Sequence, residues 1–459
     1  MTFGTIRRRR AVAAASGLVG LSLALTACGD GGGSDTAGGE GGGGSTDAEC
    51  AAFEEYGDLS GKTVSVYTSI VAPEDQPHID SFIPFEECTG ADVTYEGSKE
   101  FEAQLVVRIR SGNPPDIAYI PQPGLLGTLV RDTDSVVPAP EGVEANVDEY
   151  FSEEWKGYGT VDDTFYAAPL GANAKSFVWY SPAAFEEAGY EIPTTFDELI
   201  DLSDQIVADG GVPWCAGIGS GDATGWPLTD WMEDMMLRFA GPEVYDQWVN
   251  HEIPFNDPAV AEALERVGDI LKNPEYVNGG LGDIKSIAST EFQEGGLPII
   301  DGSCWMHRQA SFYQANWPEG TTVAEDGDVF AFYFPGETAD ERPLLGGGEF
   351  VAAFADRPEV AAFQTYLASP EYANAKAKVT GPGWVSANKG LDPDNLESPI
   401  DKLSYELLAD ESVTFRFDAS DLMPAAVGAG SFWTEMTSWI ANDKPDDEVL
   451  DAIEASWPQ

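Results

Sequence analysis

The sequence predicts an α/β fold built on a parallel sheet and divided between two compact lobes. Three observations carry this. From Lys62 onward, β-rich runs alternate with stretches of helical periodicity. Apolar residues make up 43% of the 459 residues and aromatics 11%, enough for real cores despite a formal net charge of −55. Pro, Gly and aromatic residues are spread evenly, with no internal repeat and no heptads, which suits two compact bodies rather than a string of modules.

The chain opens on something other than fold. Arg7 to Arg10 precede an apolar run, Ala11 to Ala27, that ends in Leu25-Thr26-Ala27-Cys28. A basic head, an apolar stretch and a small-residue cleavage site define an export signal, residues 1–27. A transmembrane anchor is the alternative, since a span needs ~17–25 apolar residues. The cysteine decides between them: the segment resembles the bacterial lipobox, which implies that Cys28 is lipidated and becomes the mature N-terminus. Residues 29–49 hold ten glycines in 21 positions. Such a chain cannot pack a core and would span roughly 25 Å as a flexible coil. Residues 28–49 are therefore expected to tether a globular body to a membrane surface.

Cys50, Cys88, Cys215 and Cys304 remain, an even number in an exported chain, which favours disulfides. Composition alone does not choose among the pairings. Cys50 with Cys88 and Cys215 with Cys304 is the expectation, each bond stapling one region. No CxxC exists and His78, His251 and His307 are scattered, so zinc is not expected.

The elements follow in order. Thr63–Tyr67 is a β-rich run, His78–Glu87 has Ile79, Phe82 and Ile83 on one helical face, and Asp92–Tyr95 is a second strand. Phe101, Leu105 and Ile109 mark a helix that Gly112-Asn113-Pro114-Pro115 stops, and Asp116–Ile120 is a third strand. Strand, helix, strand, helix, strand means right-handed parallel crossovers, with ligands at the carboxyl ends of the strands. The loops 68–75, 96–100 and 121–125 become the ones to watch. Ser181-Pro182 starts a helix that ends at Gly189, and Thr195 with Glu198 forms a capping box ahead of the stripe Phe196, Leu199, Ile200, Ile206 and Val207. Pro358–Leu367 is a helix that buries Val360, Phe363 and Leu367.

The acidity excludes nucleic acid as a partner, because phosphates would be repelled. No catalytic constellation stands out. His251-Glu252 begins like a zinc-protease motif but Phe255 replaces the second histidine; there is no nucleophile elbow and no phosphate loop. With 79 Asp and Glu, some carboxylate pair always lies close, so each acid is weak evidence and most are a solvated face. The twelve tryptophans say more. Trp226, Trp305, Trp384 and Trp433 sit among Gly, Pro, Ser and Phe, where an indole plane suits the apolar face of a pyranose as well as a core.

These residues together resemble the family 1 extracellular solute-binding proteins, the receptor lipoproteins of sugar ABC importers related to maltose-binding protein. The resemblance is carried by Ser111-Gly-Asn-Pro-Pro-Asp-Ile117, Tyr166-Ala-Ala-Pro-Leu170 leading to Phe177-Val-Trp-Tyr180, Ala183-Ala-Phe-Glu-Glu-Ala-Gly189 into Ile192–Leu199, Gly346-Gly-Gly-Glu349 and Phe363–Pro370. Arg416-Phe-Asp-Ala-Ser-Asp-Leu-Met-Pro424 reaching Phe432-Trp433 is similar to the α-glucoside receptor subgroup. The resemblance implies a two-lobed periplasmic-binding-protein-like (type II) fold with a hinge and an inter-lobe cleft. Its lobes would be 50–168 plus 336–382, and 169–335 plus 383–459. It implies no catalysis and no cofactor. The expected partners are a small oligosaccharide, ABC permease subunits and the membrane through the lipid anchor, with the protein a monomer on the extracellular face. Carried over residue by residue, the ligand contacts would be Glu74, Ser98, Lys99, Glu100, Gln122, Gly348 and Glu349 from the first lobe. From the hinge and second lobe they would be Asn173, Lys175, Asp222, Trp226, Trp305, Arg416, Asp418, Asp421 and Trp433. Trp305 and Trp433 match the ring-stacking positions, while Ile120 and Pro123 depart from the maltose-receptor pattern. A surface-anchored glycan-degrading enzyme or adhesin is the alternative reading.

Overall fold

The computed structural model describes residues 50–410 and 412–458; Cys28, the export signal and the tether lie outside the described residues. The first lobe is organised on a five-stranded sheet in the order Asp92–Gly97, Thr63–Thr68, Ile117–Ile120, Phe350–Ala353, Ala167–Pro169. The first three strands are parallel, as the alternating pattern requires, and Phe350–Ala353 runs antiparallel to both its neighbours. Both faces are covered. Val64, Val66, Ile117, Tyr119, Val351 and Ala353 face one core, and Tyr67, Ala118, Ile120, Phe350 and Ala352 face the other. The period of two along each strand assigns the faces.

The helix Phe101–Arg110 buries Phe101, Leu105 and Ile109 as the spacing predicts. The helix expected over 78–87 is instead two short ones, Asp75–Asp80 and Ile83–Thr89, separated at Ser81 and Phe82. The break rotates the buried face: His78, Phe82 and Phe85 point inward, whereas Ile79 and Ile83 are exposed. Pro84, which cannot donate to a preceding turn, sits in the first turn of the second helix, where its missing N–H costs nothing.

The second lobe is built on an antiparallel sheet, Phe330–Tyr333, Phe177–Tyr180, Met306–Arg308. Val178, Tyr180 and Phe332 face a large core shared with the helices Phe196–Ala208, Trp226–Met235, Pro258–Leu271 and Trp433–Ala441; Phe177, Trp179 and Ala331 face a smaller one. Thr195 Oγ1 accepts the Glu198 N–H (3.3 Å), but the Glu198 carboxylate reaches one residue further back than a capping box requires, to the N–H and hydroxyl of Thr194 (both 2.8 Å). Cys50 is bonded to Cys88, and Cys215 to Cys304.

A third small sheet, Thr414–Phe417, Pro343–Gly347, Asn173–Ala174, joins the two bodies. Its strands run within a few residues into the five-stranded sheet, Pro169 to Asn173 and Gly347 to Phe350. Short direct crossings of this kind make a hinge. Trp384, Val385, Leu391 and Leu396, on the second-lobe side of the expected boundary at 382/383, are buried in the core around Val64 and Val351.

Candidate functional site

The loops that follow the three parallel strands converge on one cavity of about 400 Å³ between the lobes. Ser69 to Glu74, Lys99, and Pro121 with Gln122 come from these strand ends. The strand-end rule thus picks out the cleft wall. The floor is the hinge: Asn173, Lys175, Gly348, Glu349 and Asp418. The facing wall comes from the second lobe and carries Trp226, Phe292, Phe312 and Trp433.

Eleven of the expected contacts line this cavity: Glu74, Lys99, Gln122, Asn173, Lys175, Trp226, Gly348, Glu349, Asp418, Asp421 and Trp433. Five do not. Trp305 packs edge-on against Tyr190 (4.9 Å between ring centres) and near Phe185, at the margin of the second-lobe core. Arg416 turns outward, its guanidinium paired with Asp246 at 2.7 and 2.9 Å. Ser98 and Glu100 are spent on the helix start, the Ser98 hydroxyl accepting the Glu100 N–H (3.1 Å). Asp222 is exposed, and its N–H reaches the Lys99 carbonyl (3.4 Å). Phe292, Phe312, Lys376 and Trp384 line the cavity without having been expected there. Only Trp384 carried a signal, the Gly383-Trp384 context; Lys376 lies in an Ala-Lys-Ala-Lys run that resembles any solvated helix face.

The floor is a closed charge network. Lys175 Nζ bonds Asp230 (3.1 Å) and Asp418, all three buried. Asp230 also takes Arg308 Nη1 (3.1 Å), and Arg308 Nε donates to Asp234 (2.9 Å). Asp234 further accepts from the Ser176 hydroxyl (2.7 Å) and from Arg238, which donates to the backbone carbonyls of Pro335 (2.9 Å), Phe334 (2.7 Å) and Pro343 (3.2 Å). Burial works against the charge on Lys175, yet Asp230 and Asp418 more than offset it and hold its pKa above an ordinary lysine's. Burial would raise Asp418, but Lys175 holds it down at about 2. Burial and the Asp418 charge push Asp421, which faces the cleft, well above its ordinary carboxylate value. Asp230, Glu233 and Asp418 present carboxylate oxygens within 4.8 Å of one another. Lys175, Arg308 and the Ala419 and Ser420 N–H groups already satisfy them, so the set does not suit a metal ion.

The walls are different. Trp226 meets Phe292 edge-on (5.1 Å) and lies under the Lys175 ammonium (5.4 Å). Trp433 Nε1, Trp384 Nε1 and Gln122 Oε1 are buried with no hydrogen-bond partner. Buried polar atoms are nearly always paired. Unpaired donors and an unpaired acceptor on one cavity, beside aromatic planes, suit a ligand that is apolar on one face and hydroxylated at its edges.

A model of the bacterial extracellular solute-binding proteins matches residues 61–374. The chain is 37% identical to the alpha-glucosides-binding periplasmic protein AglE of Rhizobium meliloti (strain 1021), across 89% of this chain and 90% of AglE. It is also 37% identical to the osmoprotective compounds-binding protein GgtB of Synechocystis sp., across 88% of this chain and 94% of GgtB. Among solved structures, the bacterial solute receptor AcbH superposes with a TM-score of 0.73 at 17% identity, covering 86% of this chain and 98% of AcbH. Maltose-bound MalE3 of T. maritima superposes with a TM-score of 0.66 at 17% identity, covering 86% of this chain and 98% of MalE3. These neighbours share the two-lobed fold.

Proposed function

The chain belongs to the bacterial extracellular solute-binding protein family, receptors that hold a solute rather than convert it, and from that premise we propose that it captures a short, neutral oligosaccharide, an α-glucoside by preference, in the cleft between its lobes. The observation that carries the reading is the set of unpaired buried donors and acceptors beside Trp226 and Trp433 on one cavity. A sugar supplies what each needs: C–H faces for the indoles, and hydroxyls that both donate and accept. The name of AglE, 90% of which aligns with this chain, supports the same ligand class.

The lobes, expected as 50–168 plus 336–382 and 169–335 plus 383–459 but with 384–396 packed on the first, close on the ligand about the small hinge sheet. A ligand that contacts both lobes only when they are closed shifts the open–closed equilibrium by its differential affinity. The closed form is what ABC permease subunits would recognise. A lipid on Cys28 and the 28–49 tether would hold the receptor, as a monomer, beside its permease at high effective concentration. No helix among the described residues is long and apolar enough to cross a membrane.

Calorimetric titration with maltose, trehalose, sucrose and maltotriose, followed by product analysis, tests the proposal. Saturable binding with the sugar recovered intact is expected. Hydrolysis, or silence across a broad oligosaccharide panel, would overturn it.

A further inference from the structure

Lys376 lies on the helix Pro370–Thr380, is only 1% exposed, and yet lines the cleft. Its ammonium donates to Thr380 Oγ1 (2.7 Å) and sits 5.1 Å from the centre of the Trp384 ring. Thr380 Oγ1 donates in turn to the Lys376 carbonyl (2.7 Å), so the ammonium is bonded only within its own helical turn. Among the described residues it makes no ion pair. An ammonium carries three donors, and burying one this poorly bonded is costly. The nearby acids are no better provided. Glu74, partly accessible from the cavity, accepts from Asn316 Nδ2 (3.3 Å), while Asn316 Oδ1 is itself buried without a partner. Glu349 and Asp401 act on Lys376 through space. Burial drives Lys376 down to about 7 and Glu74 up to about 7, the directions expected of groups without adequate partners. His78, buried on the same cavity lining, is held well below its ordinary value by burial and the Lys376 charge.

We infer that Lys376 and Glu74 form a hydroxyl-reading pair, in which neighbouring hydroxyls of the bound solute accept from the ammonium and donate to the carboxylate, making Lys376 a specificity-determining residue of this cleft. The inference rests on the sugar-receptor reading and deepens it. One end of the cleft reads a diol through a charged pair, while the Trp226 and Trp433 end supplies aromatic surface.

Lys376→Met keeps an unbranched side chain, one heavy atom shorter, and removes the charge. Wild type and K376M are titrated with maltose, trehalose and sucrose, and each free protein is melted. For whichever sugar binds wild type, K376M should weaken affinity about tenfold or more, as loss of a charge-assisted hydrogen bond does. The free variant should melt at the same temperature or higher, because a poorly bonded buried charge has gone. Monodeoxy forms of that sugar should identify one hydroxyl whose removal weakens binding to wild type but not to K376M. Affinity within twofold of wild type overturns the inference. So does a lowered melting temperature in K376M together with normal binding by E74Q, which would mark Lys376 as structural. If K376M does not fold, K376Q and E74Q carry the same test. Normal wild-type binding with an unaltered K376M sinks the pair alone, whereas a wild type silent to all three sugars sinks the sugar reading with it.

Discussion

Two buried lysines on one cleft are held in opposite ways. Lys175, on the floor, has Asp230 and Asp418 at its ammonium and is kept charged. Lys376, on the wall, has a threonine hydroxyl and an indole face, and its pKa falls to about 7. Burial is similar in both, so partners decide the charge. The floor network is complete within the protein and ties the second lobe to the hinge sheet through Arg238, which donates to the Pro343 carbonyl. The wall is incomplete within the protein, which is what a surface kept for a ligand requires.

Breaking the floor should have the largest effect. Asp234→Asn leaves Arg238 uncompensated and Arg308 with Asp230 alone, and stability in urea should drop by about 3–5 kcal/mol. A drop under about 1 kcal/mol would mean the floor is redundant. The two tryptophans sharpen the contrast between core and cleft. Trp305→Ala should lower stability by about 2 kcal/mol, less than the ~3–5 of a fully buried aromatic, and leave sugar affinity alone. Trp433→Ala should weaken sugar binding by about 1 kcal/mol, read by calorimetry on the folded variant. The reverse pattern would put the stacking face at Trp305.

The floor and the wall should also differ in the sign of their pH dependence. Asp418 is depressed, so its contribution to stability is present above its unfolded value of ~3.9 and is lost as pH falls through about 2. Glu74 is raised to about 7, so the unfolded chain ionises first and stability declines as pH rises from ~4.3 through 7. Glu74→Gln should remove about 2 kcal/mol of that decline, measured as urea midpoints at pH 5 and pH 7; an unchanged slope would assign it elsewhere. The smallest effect belongs to the rim. Lys99 and Glu291 pair across the cleft mouth at 2.7 Å, 44% and 43% exposed. Lys99→Ala should shift sugar affinity by ~0.2–1 kcal/mol at low salt and by nothing measurable in high salt.

Much of the architecture was legible beforehand because its causes are local. A period of two over Val64 and Val66, the spacing of Phe101, Leu105 and Ile109, and the stop at Gly112 to Pro115 act within a turn or a strand pair. The loops at the strand ends could be named as binding loops because the parallel crossover leaves them on one edge. The broken helix at Ser81 was less accessible, since apolar spacing over so few residues fits more than one face.

What this chain's sequence determined alone is the alternation that builds a parallel sheet, the caps that start its helices, and an order of motifs sufficient to place it among solute receptors. Tertiary structure decided which of its large and charged side chains face the cleft. Trp305 and Trp433 occupy similar local contexts, as do Lys376 and its exposed neighbour Lys378. Whether such a residue meets a core, a solvent face or a cavity depends on segments tens to hundreds of positions away. No local pattern records that distance.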